Sequence, residues 1–389
     1  MIYQSLAYWM LLAATAAVFS LSSPAAARTR SAALIGASLL TLALVAGIDL
    51  WFGVVLLMSV AWIMLAVRLA AGSHKRPVWV LYMLGPVAIV WVLSKVSSAS
   101  HLGLLQFVGY SYFFIKAGTL LKDLQDRRIE NPDPFVVVAY FLHFPTFISG
   151  PMHLFNEFDR SLRAPEFPDL EGLVDAVFRI LLGLVKVKVL APLLLPISLE
   201  ALASSGTLSL ATLGIGCIAY SIVIWANFSG YTDLAVATSR LMGVYTPENF
   251  NYPYAAANIR EFWQRWHITF TRVLTSYVFV PLSRRLQTPL EGRPVTLMIV
   301  CTTVTFLFCG FWHGATSNFL VWGLYHAAGL IAYDLYRPGA MRRRLKRKGS
   351  PHAALVNRLE RWSAIAGTFA FVSAGWIFFV LPISRLLGN

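Results

Sequence analysis

The sequence predicts an all-α, polytopic integral membrane protein, and three observations carry that prediction. Of its 389 residues, 57% are hydrophobic and only 13% charged, about half the charged share of an ordinary soluble domain. The apolar residues fall into long runs, several of which reach the roughly 20 residues a helix needs to cross a bilayer. Polar stretches are few and short, which leaves little chain for a water-soluble domain. About ten to eleven transmembrane helices are expected, joined by re-entrant or interfacial helices.

Taken in order, apolar runs at 5–21, 31–48, 50–71 and 78–96 make an N-terminal group of helices over residues 1–100. The first run leads into Ser22-Ser23-Pro24-Ala25-Ala26-Ala27, which resembles a signal cleavage site. No basic residue precedes its apolar core, so a retained first span is expected. Runs at 102–121, 134–149, 173–199, 208–225, 295–311 and 319–336 belong to a core over residues 101–336, and 362–381 forms a last helix within 362–389. A basic loop, 337–361, separates the two. The stretches 131–133, 153–169, 227–272 and 283–294 are the most polar inside the core, and 227–272 is the longest of them. Polar backbone at membrane depth must be buried in protein or line a watery cavity, so this region is expected to enter the membrane incompletely. Within it, 261–272 reads as one amphipathic helix, entered after Pro253, with Trp263, His267, Phe270 and Leu274 on a shared face.

The formal net charge is +14, and Arg337, Arg342, Arg343, Arg344, Lys346, Arg347 and Lys348 supply half of the excess. Such a cluster reads as a positive-inside signal and as a docking surface for an acidic partner or anionic membrane lipid. Arg28 with Arg30, then His74-Lys75-Arg76, then Lys122 with Arg127 and Arg128 are each two expected spans apart. All are therefore expected at the cytoplasmic face, with both termini outside. The basic residues flank spans and do not line a soluble domain, which argues against nucleic-acid binding. Cys217, Cys301 and Cys309 have neither zinc-ligand spacing nor a disulfide pattern, and read as small buried hydrophobes. No period of 20 to 50 residues repeats and no pair of interrupted helices recurs in two halves, which lowers the transporter class without removing it.

An ionisable group inside a membrane segment is costly unless it is paired or faces an aqueous cavity. His313 meets that description in Cys309-Gly310-Phe311-Trp312-His313-Gly314-Ala315. A second histidine closes Phe262-Trp263-Gln264-Arg265-Trp266-His267. Set side by side, the two stretches resemble the signature histidine boxes of the bacterial membrane-bound O-acyltransferases, the family that includes proteins of teichoic acid D-alanylation and of alginate O-acetylation. Phe144-Pro145-Thr146-Phe147-Ile148-Ser149-Gly150-Pro151, Phe228-Ser229-Gly230-Tyr231-Thr232-Asp233 and Pro247-Glu248-Asn249-Phe250-Asn251 match in order, so the resemblance covers about 103–336. The resemblance implies that His313 is the counterpart of the family's catalytic histidine and His267 of its second histidine. Tyr231, Asp233, Arg265, Trp312 and Asn318 are candidates for site support. Asp233 is read as orienting a histidine or as pairing with Arg240 or Arg265, while Gly150-Pro151 and Gly230-Tyr231 read as turn and packing positions. His326 follows His313 by thirteen residues, on a different face of a continuous helix, and reads as structural. Cys309 reads as packing and not as a nucleophile. The chain departs from the pattern at Thr275-Ser276 before Tyr277, where many members have Arg-Asp, so an acidic contact near the first histidine is missing.

Moving an acyl group from a thioester to a hydroxyl requires removal of the hydroxyl proton, which a histidine of near-neutral pKa performs. His313 is assigned that role, and His267 either polarises the thioester carbonyl or holds the acceptor. The resemblance further implies a multi-pass protein of the bacterial cytoplasmic membrane whose helices surround a central tunnel. Its donor would ride on the phosphopantetheine of an acyl or D-alanyl carrier protein, or be acetyl-coenzyme A, with no permanently bound cofactor and no metal. The acceptor would be an extracytoplasmic glycan or teichoic-acid-like polymer, served by an accessory acyltransferase outside. The modest chain length and the lack of the alginate-type opening residues favour D-alanyl over acetyl transfer. A proton-coupled transporter is the alternative of another class.

Overall fold

The computed structural model describes residues 6–22, 26–45, 50–71, 79–99, 109–147, 149–205, 209–346 and 352–381. Ser23, Pro24, Ala25, His74, Lys75, Arg76, Ile148, Arg347 and Lys348 lie outside the described residues, as do the side chains of Arg343, Arg344 and Lys346. The expected class is the one found: among the described residues the regular structure is helical, with one isolated antiparallel bridge between Phe250 and Trp266. Five helices are long and apolar enough to cross a membrane: Trp51–Ala70, Leu170–Ala203, Leu210–Leu241, Pro294–His313 and Ala353–Val380. Shorter apolar helices cover Ala7–Leu21, Gly85–Val96 and Pro134–Thr146. The chain forms two compact units, Met1–Val187 with Phe228–Glu248, and Lys188–Asn227 with Asn249–Asn389.

The first unit contains α1 (Leu6–Leu21), α2 (Ala27–Leu40), α3 (Leu50–Ala71), α4 (Gly85–Ala99), α5 (Tyr110–Gln125), α6 (Pro134–Leu142), α7 (Phe155–Arg163), α8 (Leu170–Val185) and the later part of α9 (Leu210–Leu241). Helix α6 starts where the Asp133 carboxylate accepts the Phe135 N–H at 2.9 Å and Pro134 takes the first helical position, where its missing N–H costs nothing. Nine residues later it stops at His143. That is a rise of about 14 Å, under half the hydrocarbon thickness. The start of this stretch and the end of α7 are both fastened to the start of α2. Arg28 Nε meets Asp133 Oδ2 at 2.8 Å, and buried Arg30 donates to Leu162 O at 2.8 Å and Arg163 O at 3.3 Å. The segment expected to span at 134–149 is a shorter apolar helix over Pro134–Thr146, with its start held beside Arg28. A guanidinium on the last carbonyls of α7 also meets the negative end of that helix dipole. Partial burial alone would raise the Asp133 carboxyl, but the hydrogen bonds from Arg28 and the Phe135 N–H outweigh it and hold the group below its ordinary value.

A chain of hydrogen bonds links several polar groups in the interior of this unit. Lys116 Nζ donates to Tyr140 O at 2.9 Å, Tyr140 Oη to His153 O at 3.0 Å, and His153 Nε2 to Tyr245 O at 2.8 Å. Helices α8 and α9 cross at Gly183 and Gly230, where a Cβ on Gly230 would lie 2.9 Å from Gly183 O and 2.6 Å from Val187 Cγ2. The glycine of the Phe228–Asp233 stretch is thus a close-approach position, as packing requires.

The second unit holds the first part of α9, then α10 (Ile259–Arg265), α11 (Ile268–Val273), α12 (Pro294–His313), α13 (Ser317–Lys346) and α14 (Ala353–Val380). The stretch read as a basic loop is helical up to Lys346 and again from Ala353. Helices α12 and α13 run antiparallel with their backbones touching at two levels. A Cβ on Gly310 would lie 2.2 Å from Phe319 O, and one on Gly323 would lie 2.3 Å from Phe306 O. Small residues at such a crossing let membrane helices gain packing contacts along their length. Tyr254 Oη donates to Ser221 O at 2.6 Å, and the hydroxyls of Ser221 and Ser373 meet at 2.8 Å.

Candidate active site

His267 sits where an expected helix breaks. Asn258 caps α10 by accepting the Glu261 N–H at 2.9 Å, but Trp266 then turns extended, and His267 takes the left-handed conformation at φ 44° and ψ 52°. For a residue with a Cβ this conformation is uncommon and must be held by its surroundings. The hold comes from the stretch 249–251, whose backbone pairs across the break: Asn251 N–H donates to Arg265 O and Ile268 N–H to Asn249 O, each at 2.9 Å. The amphipathic helix read over 261–272 is thus two short helices around a pinned turn, since hydrophobic periodicity cannot register a long-range strand-like pairing.

The same stretch fixes the histidine's chemistry. Asn249 Oδ1 accepts the backbone N–H of Thr269 at 3.1 Å and the Thr269 hydroxyl at 2.9 Å, and lies 3.1 Å from His267 Nδ1. A backbone N–H can only donate, so the Asn249 atom is its carbonyl oxygen and His267 Nδ1 must carry the proton. In the neutral ring Nε2 then bears the lone pair. Asn249 is completely buried.

His313 is the last residue of α12. Its ring lies 4.9 Å from Trp312, 5.1 Å from Trp322 and 5.2 Å from Phe379, centroid to centroid. Trp312 also contacts His267 at 6.1 Å and Phe270 at 4.3 Å. One buried tryptophan therefore touches both histidines, and His313 lies within electrostatic reach of His267. His267 is buried and His313 half-buried.

The structure brings His267, His313 and Trp312 together, and gives the other candidates the following partners and places. Arg265 pairs with Glu261 at 2.6 Å. Asn318 donates through Nδ2 to Leu381 O, tying the start of α13 to the end of α14. Tyr231 is half-buried on the first-unit part of α9. Asp233, in the first unit, pairs with Arg179 at 3.1 Å and Lys186 at 2.6 Å, which corrects the expected partners Arg240 and Arg265. Arg179 also reaches Glu248 at 2.5 Å beside a 550 Å³ cleft lined by Arg160, Arg240 and Tyr245. Asp233 is thus the counter-ion of a charge cluster. Cys309 is completely buried, in keeping with packing. Thr275 turns its hydroxyl back to Thr271 O at 2.8 Å, and Asn249 supplies the contact that orients the first histidine. Asn249 is the residue that sequence reasoning missed; it lay inside a matched stretch, with no spacing rule to link it to His267. His326 was also misplaced. The chain breaks after His313 and resumes as α13 at Ser317, so no continuous helix carries it away from the site.

Fold and site together define an all-helical, multi-pass membrane protein with a histidine pair assembled on one tryptophan. The chain belongs to the membrane-bound O-acyltransferase family, whose model matches residues 50–374. It is 29% identical over 277 residues to the teichoic acid D-alanyltransferase of Streptococcus thermophilus, covering 68% of this chain and 66% of that protein. It is 29% identical over 299 residues to the peptidoglycan O-acetyltransferase of Helicobacter pylori, covering 71% and 52% respectively. It is 30% identical over 273 residues to the probable alginate O-acetylase AlgI of Azotobacter vinelandii, covering 70% and 50%. The chain spans about half to two-thirds of the length of these relatives.

Proposed function

We propose that this protein is an O-acyltransferase of the bacterial cytoplasmic membrane. It moves an acyl group from a thioester donor, reached at the cytoplasmic face, to a hydroxyl of an extracytoplasmic cell-envelope polymer. The observation that carries the reading is the pairing of His267 and His313 on Trp312, with His267 oriented by Asn249. The acceptor oxygen attacks the thioester carbonyl carbon while its proton passes to neutral His313. The C–S bond then breaks, and the departing thiolate takes the proton from the imidazolium, leaving an ester and a free thiol. The tautomer of His267 supports one of its two roles. A neutral ring whose Nδ1–H is engaged accepts at Nε2 and has no donor left for a carbonyl oxygen, so His267 holds a neighbouring hydroxyl of the acceptor.

D-alanyl transfer from a carrier protein's phosphopantetheine is the favoured chemistry, supported by 29% identity to the D-alanyltransferase relative over 68% of this chain. Acetyl transfer from acetyl-coenzyme A is the second reading, supported by equal or higher identity to the two O-acetyl relatives. Purified protein in liposomes, given labelled D-alanyl carrier protein or acetyl-coenzyme A with a glycan or glycerol phosphate acceptor, tests both. We expect acyl transfer with one donor, and a loss of at least about a hundredfold in folded His313→Ala. Near-normal turnover in that variant sinks the mechanism. Solute flux in the absence of any acyl donor, without acyl transfer, would favour a proton-coupled transporter instead.

A further inference from the structure

Beside His313 lies a group of side chains that the mechanism above does not use. Trp322 of α13 is in ring contact with His313 at 5.1 Å and with His326 at 4.7 Å. Trp263 of α10 touches Trp322 at 6.0 Å and His326 at 5.3 Å. Trp263 is 6% exposed and the other two 1%. Yet Nε1 of Trp263, Nε1 of Trp322 and both ring nitrogens of His326 have no hydrogen-bond partner among the described residues. A single orphaned polar atom is tolerable in a core. Four in one contact cluster run against the rule that buried polar groups are satisfied, and such exceptions concentrate where a ligand completes them.

The kind of ligand follows from what the cluster offers. An indole N–H only donates, and a neutral imidazole brings one donor and one acceptor. Three donors therefore stand against one acceptor, so the matching partner is rich in carbonyl-type oxygens. Sugar and glycerol hydroxyls donate as readily as they accept, and fit less well. The thioester and amide carbonyls of a pantetheine chain, with its few N–H groups, fit better. The surrounding side chains are aromatic, with Phe306 and Phe371 at 6.5 and 5.8 Å from the His326 ring. Position points the same way. Helix α13 runs from Ser317, next to His313, to Lys346 in the basic run, and His326 lies about 13 Å along it. The cluster is thus on the basic-end side of His313, from which an anionic donor would arrive.

We infer that Trp263, Trp322 and His326 form the subsite that takes the carbonyl oxygens of the acyl donor, with the thioester carbonyl next to Trp322 and His313. This rests on the acyltransferase reading and adds the donors that neutral His267 lacks. The test uses full-length protein in detergent and in liposomes. Equilibrium binding of non-hydrolysable thioether analogues of both donors is measured alongside steady-state kinetics for Trp322→Phe, Trp263→Phe, His326→Phe and His326→Gln, with exposed Trp362→Phe as control. Loss of one neutral hydrogen bond should weaken analogue binding and raise the donor KM about three- to tenfold, while the acceptor KM stays within about twofold. His326→Gln, which restores a donor, should recover most of the loss. Thermal unfolding reports which variants fold, and any one folded variant decides the matter. Wild-type turnover with unchanged analogue affinity in the folded variants overturns the inference, as does an equal rise in the acceptor KM. A wild type that neither binds analogues nor transfers acyl groups overturns the parent reading instead.

Discussion

At the scale of single residues, the site depends on Asn249. Its carbonyl oxygen gathers three donors, from the Thr269 backbone, the Thr269 hydroxyl and His267 Nδ1, and so both pins a left-handed residue and selects its tautomer. Removing a buried acceptor that serves several donors costs about 1–3 kcal/mol. Asn249→Ala should therefore raise the acceptor KM by roughly five- to a hundredfold, with the donor KM unchanged and a lower unfolding temperature. An unaltered acceptor KM in the folded variant would remove Asn249 from the site. His313 stood out in the sequence because an ionisable residue at membrane depth is rare and beside glycines rarer, while His267 was nominated by the resemblance of its box to the family's. Asn249 was not, because the pairing of 249–251 with 265–268 spans a turn, a 3-10 helix and all of α10, and is made by backbone groups that every residue possesses.

At the scale of elements, α12 and α13 position His313, and their approach is set by Gly310 and Gly323. A methyl group at Gly310 would meet backbone, not a movable side-chain end. Gly310→Ala should destabilise the protein by about 1–3 kcal/mol and displace His313. Gly367→Ala on α14, where a Cβ has nothing within 4 Å, should be neutral or stabilising by up to about 1 kcal/mol through helix propensity. Thermal melts of both variants give the comparison; equal effects would mean that α12 and α13 have room between them. Hydropathy read α3 over its full range, because a long run with one charge near its end has a single economical conformation in lipid. At 134–149 it read the apolar run but not its interruption: a nine-residue helix ends at His143 and a 3-10 turn follows at Phe144–Thr146, a break that a sliding window averages away.

At the scale of the whole molecule, we propose that the basic cluster at the end of α13 both orients the chain and offers a docking surface. Arg342, Arg343 and Arg344 close α13, the helix that carries Trp322 and His326. If this end receives an anionic donor, replacing the three by Glu weakens carrier-protein or acetyl-coenzyme A binding more than about tenfold at low salt. The acceptor KM should hold, and the effect should fade as salt rises. Titration of the donor at two ionic strengths checks this. Unchanged affinity, with topology intact, leaves the cluster as an orientation signal alone.

The sequence by itself determined the solvent and the class, because transfer of apolar side chains into lipid is additive along the chain, and it nominated the two histidines through the resemblance of their boxes to the family's. Tertiary structure alone decided which nitrogen of His267 carries a proton, that Asp233 answers Arg179 and Lys186, and that His326 lies one ring from His313. Those outcomes depend on hydrogen bonds and ring contacts between residues distant in sequence. Their direction is set by where backbones cross and helices break, and no local pattern of residue types encodes that.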